Sequence, residues 1–286
     1  MVWLPRWGCD GMITSAQKLL MARAGAVPVD RSWDIAYASY SGVSFDVSAQ
    51  ETSDAGVSFK PDGTKMYVVG RGSDAVSEYS LSTSWDVSTA SYSQQFSVAA
   101  QENSPYNLFF KPDGTKMYVV GSTGDDVNEY DLSTAWDVST SSFVQSFSVS
   151  AQETIPACVF FKPDGTKMYV AGLLNDVVSE YDLSVAWDVS TATHNQDFSV
   201  ASQEGNANGL SFKPDGTKMY VSGKAKDNVN EYDLSTAWDV STASFTQSFS
   251  LSDTLSYSVG LFFRDDGLKF FVMFPGPRTV YAYDIG

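Results

Sequence analysis

Short apolar runs and alternating segments, separated by turn residues, occupy residues 33–286. In the clearest stretch, 106–110 is an apolar run, 116–120 and 127–132 alternate, and 143–149 alternates again. A Lys-Pro-Asp-Gly turn follows the apolar run, in which Pro fixes φ, Asp bonds locally and Gly accepts positive φ. The pattern predicts units of four short strands, with the apolar run innermost and the last segment outermost.

This unit recurs along the chain. The phrase Phe-Lys-Pro-Asp-Gly-Thr-Lys-Met-Tyr-Val occurs four times at a step of 51 residues, and an altered fifth copy reads Phe-Arg-Asp-Asp-Gly-Leu-Lys-Phe-Phe-Val. The five copies begin at Phe59, Phe110, Phe161, Phe212 and Phe263. A fixed period of this length in a strand-rich chain is typical of a β-propeller, in which each unit forms one blade. The sequence therefore predicts an all-β fold with five blades.

The two ends of the repeat region predict how the ring closes. Residues 37–47 match an outermost strand, because Phe45 aligns with Phe96 of the next unit, and residues 279–285 form a third strand with no fourth after it. If the N-terminal strand completes the last blade, every blade has four strands and no edge is exposed. An open array completed by a second chain would leave two unpaired edges. We therefore predict a five-bladed β-propeller over residues 33–286, closed by its N-terminal outermost strand.

Charge is unevenly distributed along the chain, which has a formal net charge of −16. Residues 1–32 contain four basic and two acidic residues, whereas the remaining chain contains 14 basic and 32 acidic residues. An acidic body repels nucleic acid and anionic membranes, so neither is expected as a partner. No apolar run approaches the roughly 18 residues of a membrane span, and the start of the chain is a poor signal peptide. Synthesis without Sec export is expected. Two cysteines, Cys9 and Cys158, predict no disulfide framework.

Residues 1–32 lack the repeat pattern and are predicted to be a short docking arm. Thr14 or Ser15 can cap a helix over residues 16–24, which is too short to be stable in water unless it docks. The arm residues expected to contact a partner are Trp3, Trp7, Leu19, Leu20 and Arg23. A poorly ordered leader remains the alternative.

The repeated phrase, continued by Asp-Asp-Val-Asn-Glu-Tyr-Asp-Leu-Ser-Thr, resembles the YVTN-type β-propeller repeat. In that family a Pro-Asp-Gly turn, a Tyr-Val strand and a Val-x-x-(Tyr/Ile)-Asp strand follow in the same order. The resemblance covers residues 33–286, and an inserted Ala-Trp-Asp-Val-Ser-Thr segment departs from the family pattern. Such units are similar to those of bacteriophage structural proteins and microbial surface proteins. Propellers of this kind also serve as enzymes and lectins, so the resemblance implies the fold more than the function.

Catalytic signals are sparse. The predicted inner strands contain no Asp or Glu, whereas five-bladed glycosidases, which are similar in blade number, place three carboxylates there. The single histidine, His194, is expected at the surface, and no nucleophile or metal-ligand spacing appears. We therefore expect a protein that is not an enzyme and has no cofactor. Gln50-Glu51 and its repeats could hold Ca²⁺, but no calcium motif supports this, and the Glu residues could instead cap loops.

Two sets of repeated residues have structural interpretations. Glu78 and its repeats Glu129, Glu180 and Glu231 face lysines of the neighbouring predicted strand, so cross-strand ion pairs explain them. Trp33 and its repeats either plug the gaps between blades or stack on sugars, one site per blade. The tryptophans kept as candidate ligand-binding residues are Trp85, Trp136, Trp187 and Trp238.

Two loop sets vary between units, and both are predicted to emerge on one face of the propeller. Loops that diverge over a constant scaffold are where recognition is built, although neutral drift explains them equally well. The loop residues predicted to bind a ligand are Asp54, Asp74, Tyr106, Asp125, Asp126, Asp176, Asn206 and Asp227.

Together these features favour a non-enzymatic virion protein, most simply of a bacteriophage, with a structural or attachment role. Its arm would anchor it to other virion or surface proteins, and its propeller would meet a host-surface glycan or a neighbouring subunit. The predicted location is the virion. The first alternative is a bacterial cell-surface or secreted adhesion protein or lectin. The second is a YVTN-like hydrolase or lactonase, which the carboxylate-free inner strands disfavour but loop residues such as Asp54 leave open.

Overall fold

The computed structural model describes residues 29–53, 55–251 and 258–286. Residues 32–286 form one compact unit. The predicted helix at 16–24 lies outside the described residues. So do the candidates Trp3, Trp7, Leu19, Leu20, Arg23 and Asp54. The boundary between arm and propeller therefore stays a prediction.

Within the described residues, twenty strands form five antiparallel sheets of four strands, which we call blades. Blade 1 contains β2 (Ala55–Phe59), β3 (Lys65–Gly70), β4 (Ala75–Leu81) and β5 (Ala90–Ser97). Blade 2 contains β6 (Pro105–Phe110), β7 (Lys116–Gly121), β8 (Asp126–Leu132) and β9 (Ser141–Ser148). Blade 3 contains β10 (Pro156–Phe161), β11 (Lys167–Gly172), β12 (Val177–Leu183) and β13 (Ala192–Ser199). Blade 4 contains β14 (Ala207–Phe212), β15 (Lys218–Gly223), β16 (Asn228–Leu234) and β17 (Ala243–Ser250).

Blade 5 joins the two ends of the propeller. It contains β18 (Val259–Phe263), β19 (Lys269–Phe274), β20 (Thr279–Ile285) and β1 (Ala38–Asp46). Strand β1 runs antiparallel to β20. The first strands of the blades contact one another in the order β2, β6, β10, β14, β18 and back to β2, which closes the ring. The predicted all-β, five-bladed propeller closed by an N-terminal outermost strand is confirmed.

Five single 3-10 turns precede the outermost strands. They span Ile35–Tyr37, Val87–Thr89, Val138–Thr140, Val189–Thr191 and Val240–Thr242. An Asp caps each of them by accepting a backbone N–H two residues later, as Asp137 does from Ser139. The Trp-Asp-Val-Ser-Thr segment thus forms a turn that its own side-chain acceptors stabilise.

The hydrophobic core lies between neighbouring blades. Tyr67 and Val69 of blade 1, for example, are fully buried in one cluster with Met117 and Val119 of blade 2. The middle strands are buried on both faces, because each blade packs against two others, whereas outermost strands such as β9 alternate between half-buried and exposed residues. Each fully buried large side chain contributes about 1.5–3 kcal/mol, so the stack of blades supplies most of the stability.

Tryptophans connect the blades at the Pro-Asp-Gly turns. Trp136 has a left-handed backbone (φ 64°), and its ring lies so close to Gly114 that a Cβ there would be 2.3 Å from Nε1. The Tyr67 hydroxyl of blade 1 donates to the Trp136 carbonyl oxygen at 2.8 Å. The same arrangement recurs in the pairs Tyr118–Trp187, Tyr169–Trp238 and Tyr220–Trp33. Glycine is required in these turns because any side chain would overlap the indole ring.

A buried carboxylate joins the blades beside each of these tyrosines. Glu78 is 2% exposed, and its Oε1 accepts from Lys65 Nζ at 2.6 Å. Its Oε2 accepts from the Gln94 side chain and from the Val138 backbone N–H of the next blade. The equivalent lysine pairs are Lys116–Glu129, Lys167–Glu180 and Lys218–Glu231. The predicted cross-strand ion pairs are confirmed.

Candidate functional site

A cavity of about 360 Å³ lies on the axis of the propeller, at the face where the Pro-Asp-Gly turns emerge. We call it the central cavity. Its mouth is formed by the residues that begin these turns. They are Pro61, Pro112, Pro163, Pro214 and Asp265. Deeper in the cavity lies a ring of buried aliphatic side chains from the first strand of each blade. They are Val57, Leu108, Val159, Leu210 and Leu261.

Aromatic rings form much of the wall. Phe109, Phe160 and Phe262 are half-buried, and their rings contact those of neighbouring blades, as in the Phe109–Phe160 pair at 5.2 Å between centroids. Trp33 and Trp136 also line the cavity. Such a wall favours an apolar ligand, because polar groups of a ligand would lose water without gaining partners.

Three uncharged polar side chains interrupt this apolar lining. Ser58, Asn107 and Ser211 are 5–6% exposed and line the cavity. Their side chains have no hydrogen-bond partner in the described part of the chain, and Asn107 Nδ2 lies beside Gly56. Buried polar groups are normally paired, so unpaired ones facing a cavity are available to a bound ligand.

Among the described residues, Asp265 is the only ionisable side chain in the lining of the central cavity. It stands at the mouth in the position that proline occupies in the other four units. Its side chain reaches solvent, but the surrounding protein removes part of its hydration. This desolvation, together with repulsion from Asp266, raises the pKa of the Asp265 carboxyl. A carboxyl with a raised pKa beside a cavity is suited to accept a proton from a bound water.

The opposite face carries the variable loops in which the sequence predicts ligand contacts. Asp74, Asp125, Asp176 and Asp227 have left-handed backbones, each in its own blade. Their carbonyl oxygens accept the backbone N–H groups that follow the outermost strands. Oδ1 of Asp74, Asp176 and Asp227 is buried without a partner. Burial raises the pKa values of Asp74 and Asp125. These aspartates therefore shape their loops, and their predicted ligand contacts stay predictions.

The remaining loop candidates have partners within the chain. Asp126 Oδ2 accepts from the Ser146 hydroxyl at 3.2 Å, and Asn206 Nδ2 donates to the Leu173 carbonyl oxygen at 2.8 Å. Tyr106 is 5% exposed.

Tyr106 lies between two cations that sequence reasoning did not select. Its hydroxyl accepts from Arg71 Nη1 at 3.0 Å, and Lys224 Nζ lies 5.8 Å from the ring centroid. Because these three residues come from blades 1, 2 and 4, Tyr106 crosses the axis on this face. Only the folded ring brings them together.

The candidate tryptophans are placed between blades. Trp136, Trp187 and Trp238 are 8–9% exposed, whereas Trp85 is half-buried. Their contacts with the turn glycines agree with the predicted plug, and sugar stacking stays a prediction.

The recurring Gln-Glu pairs cap loops. Glu51 is 1% exposed, and its Oε1 accepts backbone N–H groups from Thr52, Ser53 and Gly72. The described residues contain no group of three or more His, Cys, Asp or Glu side chains positioned to hold a metal ion. No helix among them is long and apolar enough to cross a membrane. Binding of Ca²⁺ stays untested.

A family model described as a seven-bladed β-propeller lactonase matches residues 36–242, most of the chain. The chain belongs to this lactonase family. Its described residues form five blades where the family description counts seven. A comparison with curated proteins returned no match.

Solved structures support the propeller fold. A 6-phosphogluconolactonase candidate from Bacteroides uniformis has a TM-score of 0.50 at 13% identity, over 80% of this chain and 65% of that one. The hydrazine synthase of Kuenenia stuttgartiensis has a TM-score of 0.50 at 15% identity, over 78% of this chain and 56% of that one. The chain thus spans less than two thirds of the length of these structures. At such identities they are similar in fold alone, and their names describe two different activities.

The family match corrects three predictions. The protein is not the non-enzymatic virion attachment protein that the repeat and composition favoured, because its family is one of lactonases. The predicted virion location is wrong for the same reason. The YVTN-type resemblance was right about the propeller, but the match is to the lactonase family and gives no support to a phage or surface-repeat family. Sequence reasoning was misled because the repeated residues are scaffold and contain no catalytic motif.

Sequence reasoning also missed the central cavity. The inner strands contain no Asp or Glu in their described residues, as expected, but the cavity extends beyond them to the turns. One signal was present in the sequence. The fifth copy has Asp265 where the other four have proline, and a unit that departs from its repeat at the axis is a candidate for chemistry.

Proposed function

We propose that the protein hydrolyses a small, uncharged lactone with apolar substituents in the central cavity, with Asp265 as the general base. The observation that carries this proposal is the one ionisable carboxyl of the described lining, with a raised pKa, at the mouth of a largely apolar cavity. Membership of a lactonase family supports the reaction class.

The chemistry of the lining supports the substrate class. No Lys or Arg in the described part of the chain lines the cavity, so a phosphate or carboxylate on the substrate would be desolvated without a cationic partner there. Phe109, Phe160 and Phe262 offer aromatic surface to an alkyl-substituted ring. A cavity of about 360 Å³ fits a ligand of lactone size.

The reaction begins with a water held by the ionised Asp265 carboxylate. Asp265 removes a proton as the water oxygen bonds to the lactone carbonyl carbon, and the carbonyl oxygen becomes an oxyanion. Hydroxyl or amide donors such as Ser58, Ser211 and Asn107 can stabilise this charge. The ring C–O bond then breaks, the ring oxygen takes the proton back from Asp265, and a hydroxy acid results.

The raised pKa of Asp265 assists the first proton transfer and still permits the second. A carboxylate that holds a proton more tightly is a stronger base, and its conjugate acid still releases the proton to the leaving oxygen. The product carries a new carboxylate group, which the apolar wall of the cavity binds poorly. Product release is therefore favoured by the same lining that binds the neutral substrate.

A hydrolysis panel followed by pH-stat tests the proposal. It compares alkyl-substituted γ- and δ-lactones with 6-phosphogluconolactone, and the unaltered chain with Asp265→Asn. We expect turnover of the alkyl lactones, preference for them over the phosphorylated sugar lactone, and a loss of about hundredfold or more in kcat for Asp265→Asn. The matched control is Asp113→Asn in a turn whose proline is kept, which should retain activity. Absence of turnover on the whole panel, or full activity of Asp265→Asn, would contradict the proposal.

A further inference from the structure

The junction between blade 5 and blade 1 lacks the buried carboxylate that the other four junctions share. At the first of those junctions, Glu78 accepts from Lys65 and from the Val138 backbone N–H of the next blade. At the fifth junction Ala282 occupies the position of Glu78, opposite Phe271 of β19. The chain therefore keeps four copies of a carboxylate-binding arrangement and one copy without its carboxylate.

Two of the three donors of that arrangement are still present at the fifth junction, where Val43 replaces the Gln94 amide. Lys269 occupies the position of Lys65, and its ammonium bonds to Asp284, whose side chain is 53% exposed. The Val87 backbone N–H, equivalent to that of Val138, has no hydrogen-bond partner among the described residues. A buried donor without an acceptor is costly, which favours an acceptor from outside the chain.

A cavity of about 230 Å³ lies beside this place. Its lining residues are Val43, Ser84, Trp85, Asp86, Arg264 and Lys269. Four of these six correspond to residues around Glu78, because Lys269, Val43, Asp86 and Trp85 take the positions of Lys65, Gln94, Asp137 and Trp136. For comparison, a cavity of about 150 Å³ in another protein core holds benzene. We call this cavity the junction socket.

The walls of the junction socket indicate the rest of the ligand. Val43 replaces a glutamine in the lining. Next to the lining, Phe271 replaces a tyrosine and stacks on Trp85 at 6.1 Å between centroids. A short apolar chain therefore fits beside the carboxylate. Arg264 lies over the Trp85 ring at 5.9 Å and adds a second positive charge.

Neighbouring acids do not exclude an anion from the junction socket. Asp86 Oδ1 accepts from the backbone N–H and hydroxyl of Ser88. Asp137 makes the same bonds to Ser139 while Glu78 lies beside it. Asp266 and Asp284 bond to Arg264 and Lys269. The acid equivalent to Asp284 is present in units 2 to 4, whereas unit 1 has Ser80 at that position. At the four regular junctions a carboxylate thus lies near an equivalent Asp, with a Gln amide such as that of Gln94 donating to both. At the fifth junction Val43 takes the place of this amide, and Lys269 and Arg264 are the cations in the lining.

We propose that the junction socket binds a small monocarboxylate with a short apolar chain, whose carboxylate takes the place of the missing glutamate and accepts from Lys269 and from the Val87 N–H. This site is separate from the general base at Asp265 and does not rest on the proposed function.

Isothermal titration of the full chain with propionate, and with propionamide as the uncharged match, tests the proposal at constant ionic strength. We expect saturable binding of propionate and at least about tenfold weaker binding of propionamide, because a charge-assisted hydrogen bond is lost. Equal binding of the two compounds, or no saturable binding of propionate, would overturn it.

Two variants locate the site. Ala282→Glu supplies a carboxylate from the chain itself and should abolish propionate binding while raising the melting temperature. Lys269→Met removes the charged donor and should weaken propionate binding about tenfold or more, which keeps the test decisive if the first variant does not fold. Propionate binding as tight as that of the unaltered chain in either folded variant would overturn the assignment.

A gain-of-binding variant completes the design. Glu231→Ala creates an equivalent gap between blade 4 and blade 5, next to Lys218 and the Ile35 N–H. It should lower the melting temperature, and propionate should restore part of the loss. A melting temperature that sodium chloride restores equally well would count against a carboxylate-specific site.

Discussion

The junction between blades 1 and 2 and the junction between blades 5 and 1 join blades of the same strand order and differ in chemistry. In the first, Glu78 and Tyr67 reach the next blade through a buried carboxylate and a hydroxyl that donates to a Trp carbonyl oxygen. In the second, Ala282 and Phe271 occupy those positions, and the contact with Trp85 is apolar stacking. The three other junctions repeat the first. A ring of five blades thus tolerates one junction without the hydrogen bonds of the buried Glu and Tyr.

This difference separates scaffold from site. Residues present in every unit, such as Lys65 and its repeats, hold the blades together, and no selective chemistry can be assigned to five equivalent copies. The fifth unit alone has Asp265 at the cavity mouth and the gap at Ala282. Both features lie in blade 5, where β1 closes the ring and where the scaffold residues are fewest.

The largest expected effect comes from removing the strand that closes the ring. Deletion of residues 1–48 leaves β20 with an unpaired edge and removes Trp33 from its junction. A chain that begins at residue 32 keeps both and is the matched control. We expect a melting temperature at least about 10 °C lower for the deletion than for the control, because several kcal/mol of burial are lost. Equal melting temperatures would contradict closure by β1.

A buried carboxylate at a regular junction should come next. Glu129→Ala removes the buried carboxylate that accepts from Lys116 and from the Val189 N–H. It should lower the free energy of unfolding by about 3–5 kcal/mol. Asp131→Ala removes the other partner of the same lysine. Because the Asp131 side chain is 54% exposed, this change should cost less than about 1 kcal/mol. Urea unfolding measures both. Similar losses in the two variants would mean that burial does not distinguish these carboxylates.

A reciprocal tyrosine exchange compares the two kinds of junction directly. Tyr118→Phe removes the hydroxyl that donates to the Trp187 carbonyl oxygen and should cost about 1 kcal/mol. Phe271→Tyr can give the Trp85 carbonyl oxygen the equivalent donor and should be neutral or stabilising. The same unfolding measurement checks both signs. If both variants lose stability equally, the fifth junction is packed too tightly to accept the regular chemistry.

The smallest expected effect concerns the aspartates of the repeated turns, whose contribution to stability should be lost at low pH. Partial burial raises the pKa of Asp113, but hydrogen bonds from Lys111 and Thr115 outweigh it and lower the pKa to about 2. Since the folded pKa lies below the unfolded value, this contribution is present above pH of about 4 and lost as the pH falls towards 2. Asp113 is half-exposed, so Asn substitution should change the free energy of unfolding by only a few tenths of a kcal/mol at pH 7. A large loss at pH 7 would show that the turn depends on this charge.

The sequence was sufficient for the fold because its signals are local and repeated. The Pro-Asp-Gly turns, the alternating segments and the position of Phe45 each depend on a few neighbouring residues, and five copies remove the ambiguity of one. The ion pairs of Glu78 and its repeats followed from cross-strand spacing. These predictions did not require knowledge of which blades meet.

The site could not be predicted in the same way, because it depends on contacts across the ring. The central cavity exists only when five first strands meet around the axis, and no pattern within one unit gives its size. Tyr106 was selected from its loop, but its neighbours Arg71 and Lys224 lie in other blades. Asp265 and Ala282 were visible as departures from the repeat, and their meaning required the positions that the regular residues occupy.

The pH dependence of kcat/KM for lactone hydrolysis tests the central claim most directly. If Asp265 is the general base, activity must fall at low pH as this carboxylate takes up a proton. Because the pKa of Asp265 is raised, this fall in activity should occur at a pH above the ordinary Asp pKa of about 3.9. Asp265→Asn should be at least about hundredfold slower and should lack this acidic limb. A variant that keeps both the rate and the limb would contradict the assignment of Asp265 and of the central cavity.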